Sequence, residues 1–351
     1  MVARDLKYFL AYLIPFSCFI GIYEGGYYTF LTVFLTFVLI PLLELFTPQW
    51  TDNFSKEKQI NRNTLIFFDI LLGLNVVFEY GILYYFLTSL SHGDLLWFEL
   101  VGITVGTGIV LGSNGINVAH ELGHKKGIVP QILAKILLWP TLYSHFTTEH
   151  NYGHHARVGT PEDPATSRYN ESVYFFWFRS ICHGFLSAWH IRKAESKNYK
   201  KLKGILYHPF FEFVLLPLLY LCIIWYYYGL FIVCIGFVVS LISILLLETI
   251  NYIEHYGLLR QKAKTGRYLP VESFHSWNSN HEIGRVVLYE LTRHSDHHYK
   301  AFKKYQNLDH HDKSPQLPYG YPTSILLALF PLVWFKIMNP LVNQWKIKNL
   351  V

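Results

Sequence analysis

Charged residues are scarce in this sequence. Asp, Glu, Lys and Arg make up 15% of its 351 residues, whereas hydrophobic residues make up 52%. A soluble domain carries about 25% charged residues. The low charge therefore argues against a soluble protein and favours a membrane protein. The net charge of +6 fits membrane topology and anionic headgroups, so we expect no nucleic-acid partner.

Cysteine is also scarce, and its spacing excludes two classes of site. The four cysteines are scattered and form no C-x-x-C pair: Cys18, Cys182, Cys222 and Cys234. We therefore expect neither a disulfide framework nor a cysteine-ligated iron centre. A dinucleotide-binding G-x-G-x-x-G loop is missing as well. The glycines at 102, 106, 108 and 112 instead predict close helix packing in lipid.

Long apolar stretches dominate the sequence. About 20 apolar residues span a bilayer as a helix, and six such stretches occur, at 6–23, 27–46, 64–90, 95–119, 209–228 and 230–250. The first lacks a small-residue cleavage site, so we interpret it as a membrane helix rather than a removable signal. The interrupted apolar segment 128–146 is interpreted as an interfacial or re-entrant helix, and 324–338 is predicted to lie at the membrane surface.

The basic residues predict the orientation. With these six spans, all 30 Lys and Arg residues fall on one side of the membrane. Positive residues stay cytoplasmic, so both termini and the segments 120–208 and 251–351 are predicted to face the cytoplasm. We expect one membrane-embedded, all-α catalytic domain over 1–351.

Nine of the 18 histidines form four tight groups, each near the end of an apolar stretch. The groups are His120 and His124 in HELGHK, His150, His154 and His155 in EHNYGHH, His255 in NYIEHYGL, and His294, His297 and His298 in LTRHSDHH. Spacings of three or four residues place side chains on one helical face. Neutral imidazole is the commonest metal ligand, and nine ligands suit two metal ions better than one.

Other polar residues are secondary candidates. Carboxylates often orient metal-bound imidazoles, and the acids near the groups are Glu121, Glu149, Asp163, Glu254 and Asp296. Asp69, Glu79 and Glu248 fall inside predicted spans, where polar groups are costly and often functional. Eight lone histidines are expected to be structural: His92, His145, His183, His190, His208, His275, His310 and His311. His281 is an intermediate case between a structural histidine and a metal ligand.

The four histidine motifs together resemble the bacterial membrane-bound alkane monooxygenases, within the wider histidine-box family of membrane desaturases and hydroxylases. NYIEHYGL discriminates this family from general desaturases. The similarity continues through SWNSNH at 276–281 and LPYGYPTSILL at 317–327. The segment at 299–304 departs from the pattern, because the family usually has an Asn-Pro turn there.

The resemblance implies a six-helix fold in the bacterial inner membrane and a cytoplasmic-facing site with two non-haem iron ions. It also implies terminal hydroxylation of medium-chain n-alkanes with O2, and electrons supplied by rubredoxin and its reductase. By their positions in the motifs, the nine histidines correspond to the iron ligands of that family. We hypothesise that an acidic rubredoxin docks on the basic surface between Arg179 and Lys203. Charge reversals at Arg192, Lys193 and Lys197 would test this hypothesis, because they should raise the KM for the carrier.

Four alternatives remain open at the level of sequence. HELGH alone is typical of zinc proteases, but a single zinc would leave the other groups unexplained. A fatty-acyl desaturase would use similar irons, and a xylene-type methyl hydroxylase is closely related in chemistry. A metal or proton transporter would distribute its histidines across the membrane depth, whereas these cluster at one face.

Overall fold

The computed structural model of the protein describes residues 3–350, and its regular structure in that range is helical, apart from three isolated β-bridges. The helices in the first half are α1 Asp5–Glu24, α2 Gly26–Phe46, α3 Lys56–Asn63, α4 Ile66–His92, α5 Trp97–His124, α6 Ile128–Leu138 and α7 Phe146–Glu149. After a π-helical turn, His150–His154, follow α8 His155–Arg157, α9 Val173–Ser196, α10 Lys201–Leu206, α11 Phe210–His255, α12 Glu282–Val287, α13 His294–Tyr299, α14 Tyr321–Ala328 and α15 Pro331–Leu350.

Five of the described helices are long and apolar enough to cross a membrane, namely α1, α2, α4, α5 and α11. The first four match the predicted stretches 6–23, 27–46, 64–90 and 95–119 to within a few residues. The exception is the end of α5, which continues to His124. Because the helix does not stop at residue 119, it carries the HELGH motif on the end of a membrane helix.

The two remaining predicted stretches form one continuous element. Helix α11 has 46 residues and is interrupted at Gly229, whose φ of 82° and ψ of 171° are not helical. A straight helix of this length would measure about 70 Å, more than twice the roughly 30 Å of a hydrocarbon core. The break falls between the predicted stretches 209–228 and 230–250. Six membrane crossings stay a prediction.

The described chain forms two compact units. The first contains residues 3–39, 65–149 and 185–247, and the second contains residues 40–64, 150–184 and 248–350. In the first unit α1 packs against the following membrane helices, and the Tyr12 hydroxyl donates to the Leu71 carbonyl at 2.6 Å. A Cβ on Gly108 would lie 2.6 Å from Ile242 Cγ2. The glycines of α5 therefore serve close packing, as predicted.

In the second unit, loops are fastened to the ends of membrane helices. The backbone N–H of Trp277 donates to the Glu254 carbonyl at 2.8 Å, and its indole N–H donates to the Tyr256 carbonyl at 2.9 Å. The Glu44 carboxylate accepts the Gly284 N–H at 3.2 Å. These bonds fix the segments around α12 and α13 to the ends of α2 and α11.

The carboxyl-terminal apolar segment differs from the prediction of one stretch over 324–338. The structure divides it into α14 and α15 around residues 329 and 330. Phe330 at this break is 64% exposed. Pro331 begins α15, in keeping with the preference of proline for the first helical position.

Candidate metal centre

Four histidines of the second unit converge through their ring nitrogens: His154, His255, His294 and His298. One ligand atom from each lies within 4.8 Å of the others, and all four side chains are buried. His298 Nε2 lies 3.1 Å from His154 Nε2 and 2.8 Å from His294 Nε2. His294 Nε2 is in turn 3.1 Å from His255 Nε2. Residues up to 144 positions apart in sequence thus share one point in space.

These four side chains fit a metal ion. Imidazole nitrogens bind Zn²⁺ at about 2.0–2.1 Å, which puts neighbouring nitrogens roughly 3 Å apart, as they are here. Burial, reinforced by the imidazoles of His155 and His294, holds the pKa of His298 well below its usual value. The neutral ring that results is the form that binds metal.

Three further histidines of the second unit form a neighbouring group: His150, His155 and His297. His155 Nε2 lies 2.9 Å from His150 Nε2 and 3.0 Å from His297 Nε2. The two groups adjoin, because the ring centroids of His155 and His298 are 4.4 Å apart. Both groups consist of residues that could hold a metal ion.

The π-helical turn explains why EHNYGHH contributes to both groups. In an α-helix, residues five apart lie on opposite sides because a turn has 3.6 residues. A π turn closes hydrogen bonds between residues five apart, so the rings of His150 and His155 reach each other. His154 faces the other group. The sequence predicted that at least two of these three would converge, and the structure confirms it.

His120 and His124 belong to the first unit. They end α5, and their ring centroids are 5.0 Å apart. A π turn, Leu111–Ile116, precedes this part of the helix. The predicted shared face of the two rings is confirmed. Their role as ligands stays a prediction from the motif and its spacing.

Asp163 orients a histidine of the first group. Its Oδ2 accepts a hydrogen bond from His154 Nδ1 at 2.9 Å and another from the Thr166 hydroxyl at 2.6 Å. Burial alone would raise the pKa of Asp163, but His154 and the Thr166 hydrogen bond hold it below its usual value. With its Nδ1 engaged by a carboxylate, His154 presents Nε2 to the group.

Glu254 contacts a different histidine from the one that Asp163 contacts. Its Oε2 is 3.1 Å from His294 Nε2, the same nitrogen that faces His255 and His298. The Tyr321 hydroxyl donates to Oε1 at 2.8 Å. The carboxylate therefore reaches the side of the ring where a metal would bind, rather than the outer Nδ1.

Asp296 has a different role from the one predicted. It was expected to orient a ligand imidazole, but its hydrogen bonds go to His311 Nε2 at 2.6 Å, to Lys303 Nζ at 2.7 Å and to the Asp309 N–H at 2.8 Å. Burial would raise the pKa of Asp296, and these partners hold it below its usual value. The residue ties α13 to the segment that follows it.

The remaining predicted residues lie in several places. Glu121 and Glu149 are buried, and their roles stay predictions. Asp69 pairs with Lys125 at 2.5 Å and is half-exposed, which indicates a structural ion pair. Glu79 is fully buried in α4, and within the described chain neither of its carboxylate oxygens has a hydrogen-bond partner. Glu248 accepts from Asn251 Nδ2 at 3.4 Å.

Sequence reasoning missed some partners of the site. Tyr321 lies 67 residues from Glu254, and its only signal was its place in the LPYGYP motif. His311 was expected to be structural, in keeping with its bond to Asp296 at 2.6 Å. His145 is structural, as expected: its ring packs at 4.4 Å from that of Tyr143 and 5.1 Å from that of Phe185, and burial lowers its pKa to about 3.

The all-helical fold and the buried histidine groups define a class of membrane protein that can hold metal. Comparison with known proteins agrees: residues 94–327 match the fatty acid desaturase family. The chain is 34% identical to alkane 1-monooxygenase 2 of Alcanivorax borkumensis over 95% of its length and 88% of that protein. It is 36% identical to alkane 1-monooxygenase of Pseudomonas putida, over 97% and 86% of the two chains.

A more distant relative is the xylene/toluene monooxygenase hydroxylase component of Pseudomonas putida, 24% identical over 97% of this chain and 89% of that protein. The protein described here belongs to the alkane 1-monooxygenase family, within the wider fatty acid desaturase family. The family resemblance seen in the four histidine motifs is thereby confirmed.

Proposed function

We propose that the protein is a membrane alkane monooxygenase that uses O2 to hydroxylate the terminal methyl group of medium-chain n-alkanes at a site with two non-haem iron ions. The single observation that carries the proposal is the convergence of His154, His255, His294 and His298 within 4.8 Å. The names of the relatives supply the substrate class.

Nine histidines are proposed to hold the two ions. Seven lie in the second unit, as the group of four and the adjoining group of three. For His120 and His124 the support is their shared helical face and their motif position in the family. Imidazole suits iron, and Glu254 is a candidate additional ligand because its Oε2 approaches His294 Nε2.

An alkane C–H bond offers no polar handle for acid–base or nucleophilic attack, so the bound iron would supply the oxygen chemistry. The protein side chains perform the remaining tasks. Asp163 fixes the orientation of His154, and Tyr321 fixes that of Glu254. Burial of the histidines keeps bulk water from the site. Alkanes partition into bilayers, so the substrate can enter from the membrane.

The reaction needs electrons from a second protein. Hydroxylation of R–CH3 to R–CH2OH with O2 consumes two electrons and two protons and releases one water. The sequence has no C-x-x-C pair and no dinucleotide loop, so the electrons are proposed to come from rubredoxin and its reductase.

We further propose that α11 crosses the membrane twice around Gly229, which gives six spans with both termini in the cytoplasm of a bacterial inner membrane. All 30 basic residues then lie on the cytoplasmic side. A periplasm-active reporter inserted at Gly229 should be active. A silent reporter there would contradict the topology.

The activity test uses purified protein with rubredoxin, its reductase, NADH, O2 and octane. We expect 1-octanol, and His255→Ala should abolish its formation while the protein remains inserted and folded. His190→Ala is a matched control, because His190 is exposed and bonds only the Leu186 carbonyl in the described structure.

Other products would contradict the proposal. An alkene would indicate a desaturase. Strong preference for xylene in competition with octane would indicate a methyl hydroxylase like the xylene-oxidising relative. Metal or proton flux without product would indicate a transporter.

A further inference from the structure

A cavity of about 250 Å³ opens in the first unit. It lies where α6, the end of α9, α10 and the beginning of α11 meet. Its lining is Lys135, Trp139, Ser144, Arg192, Leu206, Tyr207, Phe211, Glu212 and Leu216. The lining combines bulky apolar side chains with a small polar set, which is typical of a ligand site.

The charged side chains of the lining are fixed by one another. Glu212 Oε1 pairs with Lys135 Nζ at 2.6 Å, and Glu212 Oε2 accepts from Arg192 Nε at 2.8 Å. Arg192 also pairs with Glu195 at 2.6 Å and stacks on the Tyr207 ring at 4.7 Å. Ser144 is buried, and its hydroxyl has no hydrogen-bond partner in the described structure. The Ser144 hydroxyl therefore offers a ligand in the cavity a polar contact.

Lys203 Nζ lies 5.6 Å from the ring centroid of Tyr207, which lines the cavity. It belongs to a group of exposed lysines on the segment that leads into α11. They are Lys193, Lys197, Lys200, Lys201 and Lys203. Lys203 Nζ lies 4.2 Å from the centroid of the Tyr199 ring. Apolar side chains alternate with these lysines: Leu202 is 66% exposed and Ile205 is 62% exposed. A lysine cluster next to a membrane helix, mixed with exposed apolar residues, is typical of a segment that lies on anionic lipid.

We propose that this cavity and its lysines bind one anionic phospholipid of the bilayer. The phosphate contacts Lys201 and Lys203, and an acyl chain lies along Leu206, Phe211 and Leu216. The lysine stems bury their methylene groups against the apolar side chains while their ammonium groups reach the headgroup. Because α11 begins at Phe210, the cavity is adjacent to the membrane-spanning segment that such a lipid would border.

The same observations argue against this surface as the dock of an acidic electron carrier. Arg192, one of the residues expected to test that dock, is buried and held by Glu212 and Glu195. Exposed Leu202 and Ile205 would meet the polar surface of such a carrier. A lipid accounts for both features, because its headgroup binds the lysines and its acyl chains contact the apolar side chains.

The test measures lipid binding by the whole protein in a neutral detergent. Phosphatidylglycerol and phosphatidylcholine with identical chains are titrated separately, and bound lipid is counted by native mass spectrometry alongside the change in Tm. We expect phosphatidylglycerol to bind more tightly and to raise Tm more. Lys201→Gln/Lys203→Gln should weaken its binding about 25-fold, because each lysine near an anionic surface contributes a factor of about five.

The matched control is Lys56→Gln/Lys58→Gln, which removes the same charge from exposed lysines of α3. It should leave phosphatidylglycerol binding unchanged. Equal binding of the two lipids, or equal losses in the two double variants, would overturn the proposal. Glycerol phosphate alone reproducing the full Tm shift would indicate a free-anion site instead. A raised KM for rubredoxin with unchanged lipid binding would assign the surface to the carrier.

Discussion

At the scale of single residues, Glu254 differs from the other acids near the histidines. Asp163 bonds the outer nitrogen of His154, whereas Glu254 lies 3.1 Å from the inward Nε2 of His294. Tyr321 holds its other oxygen. Such a placement suits a carboxylate that contacts the metal as well as orienting the ring.

The first prediction concerns Glu254→Gln. The amide keeps the shape of the side chain and its bond with Tyr321 but removes the negative charge beside His294. We expect a fold close to that of the parent protein and a loss of metal affinity of about 10–100-fold, as is common for partners of metal ligands. The number of iron ions bound per protein chain and the turnover rate measure this loss of metal affinity. The control is Glu272→Gln, at an exposed position of the same unit, which should change neither quantity. Iron binding by Glu254→Gln equal to that of the parent protein would refute the assignment of Glu254 to the metal site.

The second prediction concerns Asp163→Asn. The carboxylate fixes His154 through Nδ1, and Thr166 fixes the carboxylate. An amide weakens this charge-assisted bond, so metal affinity should fall by about 10–100-fold. Competition with a chelator measures the change. Asp312→Asn serves as the control, because the Asp312 side chain is fully exposed; equal chelator resistance of the two variants would contradict the role of Asp163.

At the scale of helices, α5 depends on glycine for its contact with α11. A Cβ on Gly108 would lie 2.6 Å from Ile242 Cγ2 and 3.2 Å from the Val239 carbonyl. In lipid, small residues allow such close approach. The spacing of the glycines predicted this packing, but it did not identify the opposing helix.

The third prediction compares two glycine substitutions. Gly108→Ala should destabilise the protein by about 1–3 kcal/mol, since overpacking forces neighbouring atoms apart. Gly236→Ala in α11 has no atom within 4 Å of its new Cβ and should be neutral or slightly stabilising, because alanine favours helix. Thermal unfolding in detergent compares them. Equal Tm values would show that the α5–α11 contact is looser than described.

Helices also show what the sequence could predict and what it could not. Apolar length located α1, α2, α4 and the beginning of α5 to within a few residues, because each must match the thickness of a bilayer. The π turn His150–His154 left no such signal. Hydropathy likewise gave two stretches where the structure has one element broken at Gly229.

At the scale of the whole molecule, the histidine motifs predicted which residues would meet but not how they would divide. His154 and His155 are neighbours in sequence, yet they face different groups. That division depends on the π turn and on α13, both set by tertiary packing. The bond between Tyr321 and Glu254, and the ion network of Lys135, Glu212 and Arg192, likewise join distant segments, and no local pattern encodes them.

The number and identity of the bound metal ions test the central claim most directly. The account predicts two iron ions per chain in the purified protein, measured by elemental analysis, with nitrogen-dominated coordination in X-ray absorption. His298→Ala should lower the iron content, since His298 joins three other imidazoles at the centre of its group. One zinc ion per chain, or full iron content in His298→Ala, would contradict the account.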